Sequence, residues 1–314
     1  MCRKETPGQS SAGRLRFPAK ISRLLDPKVQ ESFYGKIVAR YMQFCSQHSK
    51  DLDQAFASLS IQNEAPNDSR VRPDHLNQAR DAFASASSTE ILAQNISITP
   101  SMILSASEMS IILTALRKLR EGLLATSSRT ASPVFAQRVH IFNIKLAILA
   151  QHPESYRPSL LHLLSKLHTS EHPLARTELF EMTSFLIVDF AARQRDLGSA
   201  FALRYNSRVG FGFRNRNIDM LLQSIVTNDW VLFWSTRRKV DGYLRALLHP
   251  YVDRLHMSVL KAIGRSYMAC DVQWIVSSAT GNELDWSELV KKENIGWIRD
   301  GDKVIIRKPK LKPS

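Results

Sequence analysis

From Val29 to Tyr267, apart from a polar interruption after residue 61, apolar side chains return at three- and four-residue steps, a period that predicts packed α-helices. Val29, Phe33, Ile37, Tyr41 and Phe44 make the first stripe, and Leu52, Phe56 and Leu59 predict a short second helix. Gln62 to Gln78 turns polar around Pro66, Asn67, Asp68 and Pro73 and reads as a linker, while Ala79 to Asn95 offers only small side chains to a weak helix. Thr99-Pro100 then gives a helix-start signal, followed by Met109, Ile112, Leu113, Leu116 and Leu119 on one face until about Ser127. Ser132-Pro133 opens another helix through Val139, Phe142, Leu146 and Leu149, and Leu160, Leu161, Leu164 and Leu167 mark the next. Leu179, Phe180, Phe185, Ile187, Val188 and Phe190 follow, and after Asp196-Leu-Gly198 a helix restarts through Ala200, Phe201 and Leu203. Ile218 to Val226, Trp230 to Trp234 and a long helix from about Pro250, with Leu255, Val259, Ile263 and Tyr267 on one face, complete the run. Such stripes are buried by stacking helices in neighbouring pairs, as in helical repeat proteins, although no fixed-period repeat is visible.

The last sixty residues break the pattern. Ile295-Gly-Trp-Ile-Arg and Lys303-Val-Ile-Ile-Arg flank Asp300-Gly301, a tight-turn pair, and together predict a β hairpin. Just before it, Asp285 with Glu288 three residues on forms a capping box, with Trp286, Leu289 and Val290 on one face. Helix, short helix, helix and hairpin is the order of a winged helix. The expected fold is therefore mainly α: a helical-repeat array followed by a C-terminal winged helix with a small β hairpin. Its parts are a basic disordered arm over 1–25, N-terminal helices and polar linker over 26–98, the array over 99–254, the winged helix over 255–307 and a basic tail over 308–314.

Composition narrows the setting. With 314 residues, 44% hydrophobic and 23% charged, the chain can bury a large core without covalent staples. Cys2, Cys45 and Cys270 stand too far apart for a disulfide framework or a structural zinc site, which points to a reducing compartment. No apolar stretch approaches the roughly 20 residues that span a bilayer, and Met1 to Lys20 lacks the apolar core of a signal peptide. The expected location is cytoplasm and nucleus. A net charge of +14 favours nucleic acid, anionic lipid or an acidic protein as partner. Arg3, Lys4, Arg14, Arg16, Lys20 and Arg23 concentrate part of it in the N-terminal arm, which faintly resembles a mitochondrial presequence but reads more simply as a solvated basic arm. Lys308, Lys310 and Lys312 form the basic tail.

Helical repeats running without a break into a terminal winged helix resemble the PCI module of the proteasome lid, the COP-nine signalosome and translation initiation factor three. The similarity is closest to the branch holding signalosome subunit eight, lid subunit twelve and initiation-factor subunit K. It is carried by Leu221-Leu-Gln-Ser-Ile-Val-Thr-Asn-Asp-Trp-Val-Leu-Phe-Trp234, the helix Leu255 to Tyr267, Asp285-Trp-Ser-Glu-Leu-Val290 and Gly296-Trp-Ile-Arg-Asp-Gly-Asp-Lys-Val-Ile-Ile306, within about the last 200 residues. The basic N-terminal hundred residues and the tail depart from the usual small members. The resemblance implies a non-catalytic scaffold whose partners are other PCI subunits of a large hetero-oligomeric complex acting in protein turnover. It implies no cofactor, no membrane and no small-molecule substrate.

A search for chemistry agrees with that expectation: His-Glu-x-x-His, Gly-x-Ser-x-Gly, a P-loop and paired cysteines are all missing from the sequence. His162 and His168, six residues apart, fall on different helix faces. Gly210-Phe-Gly212 follows no strand and reads as a turn between helices. Two surfaces stand out instead. Arg204, Arg208, Arg214 and Arg216 bracket Tyr205, Phe211 and Phe213 with no acid between them, which suits RNA stacking or an acidic protein groove; the alternative is a solvated loop with its aromatics tucked into the helix ends. This cluster motivates the other reading, an RNA-binding scaffold in mRNA export or translation initiation. The wing, with Trp297, Lys303, Ile305 and Arg307, offers an edge for strand addition to a neighbouring subunit, although Trp297 read singly is plain core. Glu283, Asp285, Glu288 and Glu293 on the third helix of the winged helix argue against base readout there.

Overall fold

Aspartate and asparagine side chains set the starts of six successive helices, and those starts organise the C-terminal half. In the computed structural model, which describes residues 24–47, 100–126 and 132–307, eleven α-helices and three short strands are formed. α1 spans Pro27–Gln47, α2 Pro100–Thr126, α3 Pro133–Leu149 and α4 Pro153–His162, the last continuing into a π-helical turn at Leu163–Leu167. α5 (Arg176–Val188) runs into a second π-helical turn, Asp189–Gln194. α6 (Leu197–Phe211), α7 (Arg216–Thr227), α8 (Trp230–Arg237), α9 (Gly242–Ser266) and α10 (Val272–Thr280) are capped by Asp196, Asn215, Asp229, Asp241 and Asp271, whose side chains accept backbone N–H groups of the first turn. α11 (Trp286–Glu293) carries the complete capping box of Asp285 and Glu288 that the sequence predicts.

Neighbouring helices pair as expected, α1 with α2, α3 with α4, α5 with α6 and α7 with α8. Gly122 is what lets the first pair close. A Cβ there would lie 2.9 Å from both the Cβ and the carbonyl oxygen of Leu24, and Gln30 bonds that carbonyl at 2.7 Å and the Thr126 hydroxyl at 3.0 Å. α9 departs from the nearest-neighbour pattern. It packs against α3, α5 and the second π-helical turn as well as α8 and α10, with Leu248, Leu255, Val259 and Ile263 fully buried. It begins at Gly242 rather than near Pro250, which lies inside it, and it runs through the boundary expected at 254/255 without interruption.

After α9 come β1 (Ala269–Asp271), α10, α11, β2 (Ile298–Asp300) and β3 (Lys303–Ile305). The strands form one antiparallel sheet in the order β1-β3-β2, with Cys270 opposite Val304 and Arg299 opposite Val304. The hairpin is there, but its two loop residues are Gly301 and Asp302, because Asp300 already pairs with Lys303; Gly301 takes φ +58°, which glycine adopts without strain. Leu289 and Val304 close the small core beneath the sheet. Among the described residues no helix is long and apolar enough to cross a membrane. The basic arm, the second and weak helices, the linker and the basic tail lie outside the described residues.

Candidate interaction surfaces

The arginine cluster sits where α6 ends and α7 begins, and folding divides its members into two groups. Arg204 is not a free surface cation. Its Nε and Nη2 donate to the two carboxylate oxygens of Asp219 at 2.6 and 2.7 Å, a bidentate clamp that ties α6 to α7 and raises the arginine's pKa. Phe213 is 2% exposed, and Phe211 is half-buried; both rings pack on Phe180, at 5.3 and 5.9 Å, while the Arg176 guanidinium lies over the Phe180 ring at 5.3 Å. Arg204, Phe211 and Phe213 are therefore engaged within the α5–α6–α7 junction, the aromatics tucked against the helix ends as in the alternative reading, rather than in the partner or nucleic-acid surface expected of them. Gly212 caps α6 at φ +72°, which reverses the chain and aims both rings inward. Arg208, Arg214 and Arg216 remain exposed. Beside them on α6 runs an uncovered apolar stripe at four-residue spacing, Phe201, Tyr205 (64% exposed) and Val209.

In the sheet, β3 is the central strand, flanked by β1 on one side and β2 on the other, so Lys303 and Ile305 present no open edge. The open edge expected at those residues belongs instead to β2, where Ile298 is 52% exposed and Arg299 and Asp300 face solvent. Trp297 is partly buried and packs against the core, its Cζ2 3.2 Å from where a Cβ on Gly264 of α9 would stand. Arg307 reaches back to the Gly264 carbonyl at 2.5 Å and anchors the end of β3. A further exposed aromatic pair, Tyr267 and Trp274 at 5.4 Å, marks the corner between α9 and α10.

The acids on and around α11 turn out to be engaged internally. Glu283 pairs with Arg237 of α8, Glu288 closes the capping box, and Glu293 stands 3.5 Å from the ring of His256 on α9, with its pKa raised chiefly by burial. Lys292 meets Asp253 at 2.8 Å. Trp234 fills the junction between these elements: its indole N–H donates to the Ser278 carbonyl at 3.0 Å and its ring lies 2.7 Å from where a Cβ on Gly281 would stand. The sheet unit is thus joined to the helices by a buried tryptophan, two cross-element ion pairs and the unbroken α9.

Three features escape a reading of the sequence. β1 is too short to show a period, the Arg204–Asp219 clamp joins residues on separate helices, and a buried network gathers around Asp189. That carboxylate is fully buried and accepts from Tyr156 Oη at 2.6 Å, Arg193 Nε at 2.6 Å and Gln194 Nε2 at 2.6 Å. Burial and the neighbouring Asp189 charge push the Tyr156 hydroxyl up, and the hydrogen bond to Asp189 holds Arg193 protonated. Its only sequence signal is an acid inside the apolar stretch Phe185 to Ala192. Among the described residues no cluster of His, Cys, Asp and Glu has the composition of a metal site. Comparison with known proteins returned no matching family model and no similar curated sequence.

Proposed function

We propose that this chain is a non-catalytic scaffold subunit of a PCI-type complex, of the signalosome or proteasome-lid kind, working in protein turnover in cytoplasm and nucleus through contacts with other subunits. The observation that carries the reading is the C-terminal order β1–α10–α11–β2–β3 in a β1-β3-β2 sheet, the topology of a winged helix, continuing without a break from a helical stack through α9. In this reading the β2 edge at Ile298 pairs with a neighbouring subunit's strand, and the stripe of Phe201, Tyr205 and Val209 packs against a second one. The test is affinity purification of the tagged protein from its native cell at moderate salt with nuclease present, followed by mass spectrometry. Co-purification of several PCI subunits supports the reading, and Arg299→Pro, which places an imino ring on the open edge, is expected to deplete at least one of them. Partners that vanish with nuclease overturn it.

A second reading rests on Arg208, Arg214 and Arg216, which stay exposed beside Tyr205: an RNA-binding scaffold in mRNA export or translation initiation. The two separate by salt. Three phosphate contacts imply an affinity falling with a log–log slope of about −2 to −3, whereas an apolar and strand-paired interface weakens far less.

A further inference from the structure

α6 is apolar on two opposite sides, and the fold covers one of them. At about 100° per residue, Ala200, Leu203, Ser207 and Phe211 fall together on the side that packs on α5 and the second π-helical turn, with Ala200 and Ser207 buried. Phe201, Ala202, Tyr205 and Val209 fall together on the other side, within an arc of about 100°, the width of the stripe by which a helix is ordinarily packed into a core. All four are exposed, Val209 to 70%. A helix that is apolar on both sides is built to have neighbours on both, and among the described residues nothing covers the second stripe.

The borders of the stripe define the chemistry of the missing neighbour. Arg208 lies about 20° beyond Phe201 on one border, and the turn after Val209 carries Arg214 and Arg216, all three exposed. The other border holds Asn206 and Ser199, polar but uncharged. Leu197 to Ile218 contains no acid, and the next one, Asp219, is held by Arg204. We propose that the stripe docks an acidic amphipathic helix of a partner subunit, its apolar face on Phe201, Tyr205 and Val209 and its carboxylates turned towards Arg208 and the arginines of the turn. The inference rests on the scaffold reading for the partner's being another subunit, and adds what that subunit must present. Complementary charge fixes the register of such a helix while the aromatic side chains anchor it. A second copy of this chain fits poorly, because two α6 stripes set face to face would gather six exposed arginines at one seam with no acid to separate them. RNA would find rings to stack on at Phe201 and Tyr205 only, leaving Ala202 and Val209 against ribose and phosphate.

Site-directed photo-cross-linking tests the assignment. The tagged full chain carrying Val209→p-benzoylphenylalanine is irradiated in its native cell, purified with nuclease present, and the adduct identified by mass spectrometry. The expected adduct is a segment of another protein with apolar residues at three- and four-residue spacing and a net negative charge. Arg208→Glu in the same background is expected to cut its yield by about tenfold, the effect of setting like charges against each other across the border. Both substituted positions are exposed, and an unchanged circular dichroism spectrum and urea midpoint show that a lost adduct is not lost folding. A basic or uncharged segment, a peptide of a second copy of this chain, a nuclease-sensitive RNA adduct, or an acidic segment whose yield ignores Arg208→Glu would each overturn the proposal. PCI subunits that co-purify without any adduct at position 209 overturn it and leave the scaffold reading standing. An acidic helical segment from a protein outside any PCI complex supports the docking surface and overturns the scaffold reading.

Discussion

At the scale of single residues, the same side-chain type takes opposite roles according to what folding brings beside it. Arg204 and Arg208 lie one helical turn apart on α6; one is clamped by Asp219 and the other is free to meet a partner. The density of arginine and aromatic residues around 210 was legible, but the acid that claims Arg204 lies on another helix and no periodicity displays it. His140 carries a measurable consequence. With a pKa depressed to about 3 against an ordinary 6.5, it binds no proton in the folded state where the unfolded chain binds one. Its contribution is therefore neutral above pH 6.5, and stability is lost as pH falls from there towards 3, by about 1.4 kcal/mol per pH unit. Urea unfolding at pH 7, 6 and 5 is expected to show that loss in the parent chain and a shallower one in His140→Phe. Parallel slopes in the two proteins would show that the ring titrates normally in the fold.

Elements are where sequence and structure agree most closely, because helix starts are local chemistry. The caps at Asp196, Asp285 and the Pro-opened α3 each depend on residues within one turn, so their positions could be placed to within a residue or two. α9 is the exception: Pro250 reads as a start, yet it is tolerated mid-helix, where it only leaves the Ala246 carbonyl without its usual donor. β1 was not legible at all, since Ala269-Cys-Asp271 becomes a strand only by pairing with Lys303–Ile305, more than thirty residues later. For α11 the local account is quantitative. Replacing Asp285 with alanine removes both the side chain that caps the helix and one half of its box, and is expected to cost about 1 kcal/mol, read as a lower urea midpoint at unchanged slope. A midpoint that does not move would mean α11 is held by Leu289 and Trp286 packing alone.

For the whole molecule, the joint between the helical stack and the sheet unit decides how many cooperative units there are. Trp234 against Gly281, Arg237 with Glu283, and an α9 shared by both halves leave no weakly bonded plane at which they could part. Scanning calorimetry is expected to give one transition for the region spanning 132–307, with calorimetric and van't Hoff enthalpies in agreement. Two resolved transitions would locate a domain boundary that the packing does not predict. The placement of α9 also bears on biosynthesis. α3 and α5 have one face completed only by a helix that lies roughly a hundred residues downstream of α3, and at ordinary translation speed that stretch takes on the order of ten seconds to make. Over that interval the nascent chain presents an unfinished apolar groove at the ribosome, which makes it a natural client for a chaperone that shields such grooves until Leu248 to Ile263 have emerged.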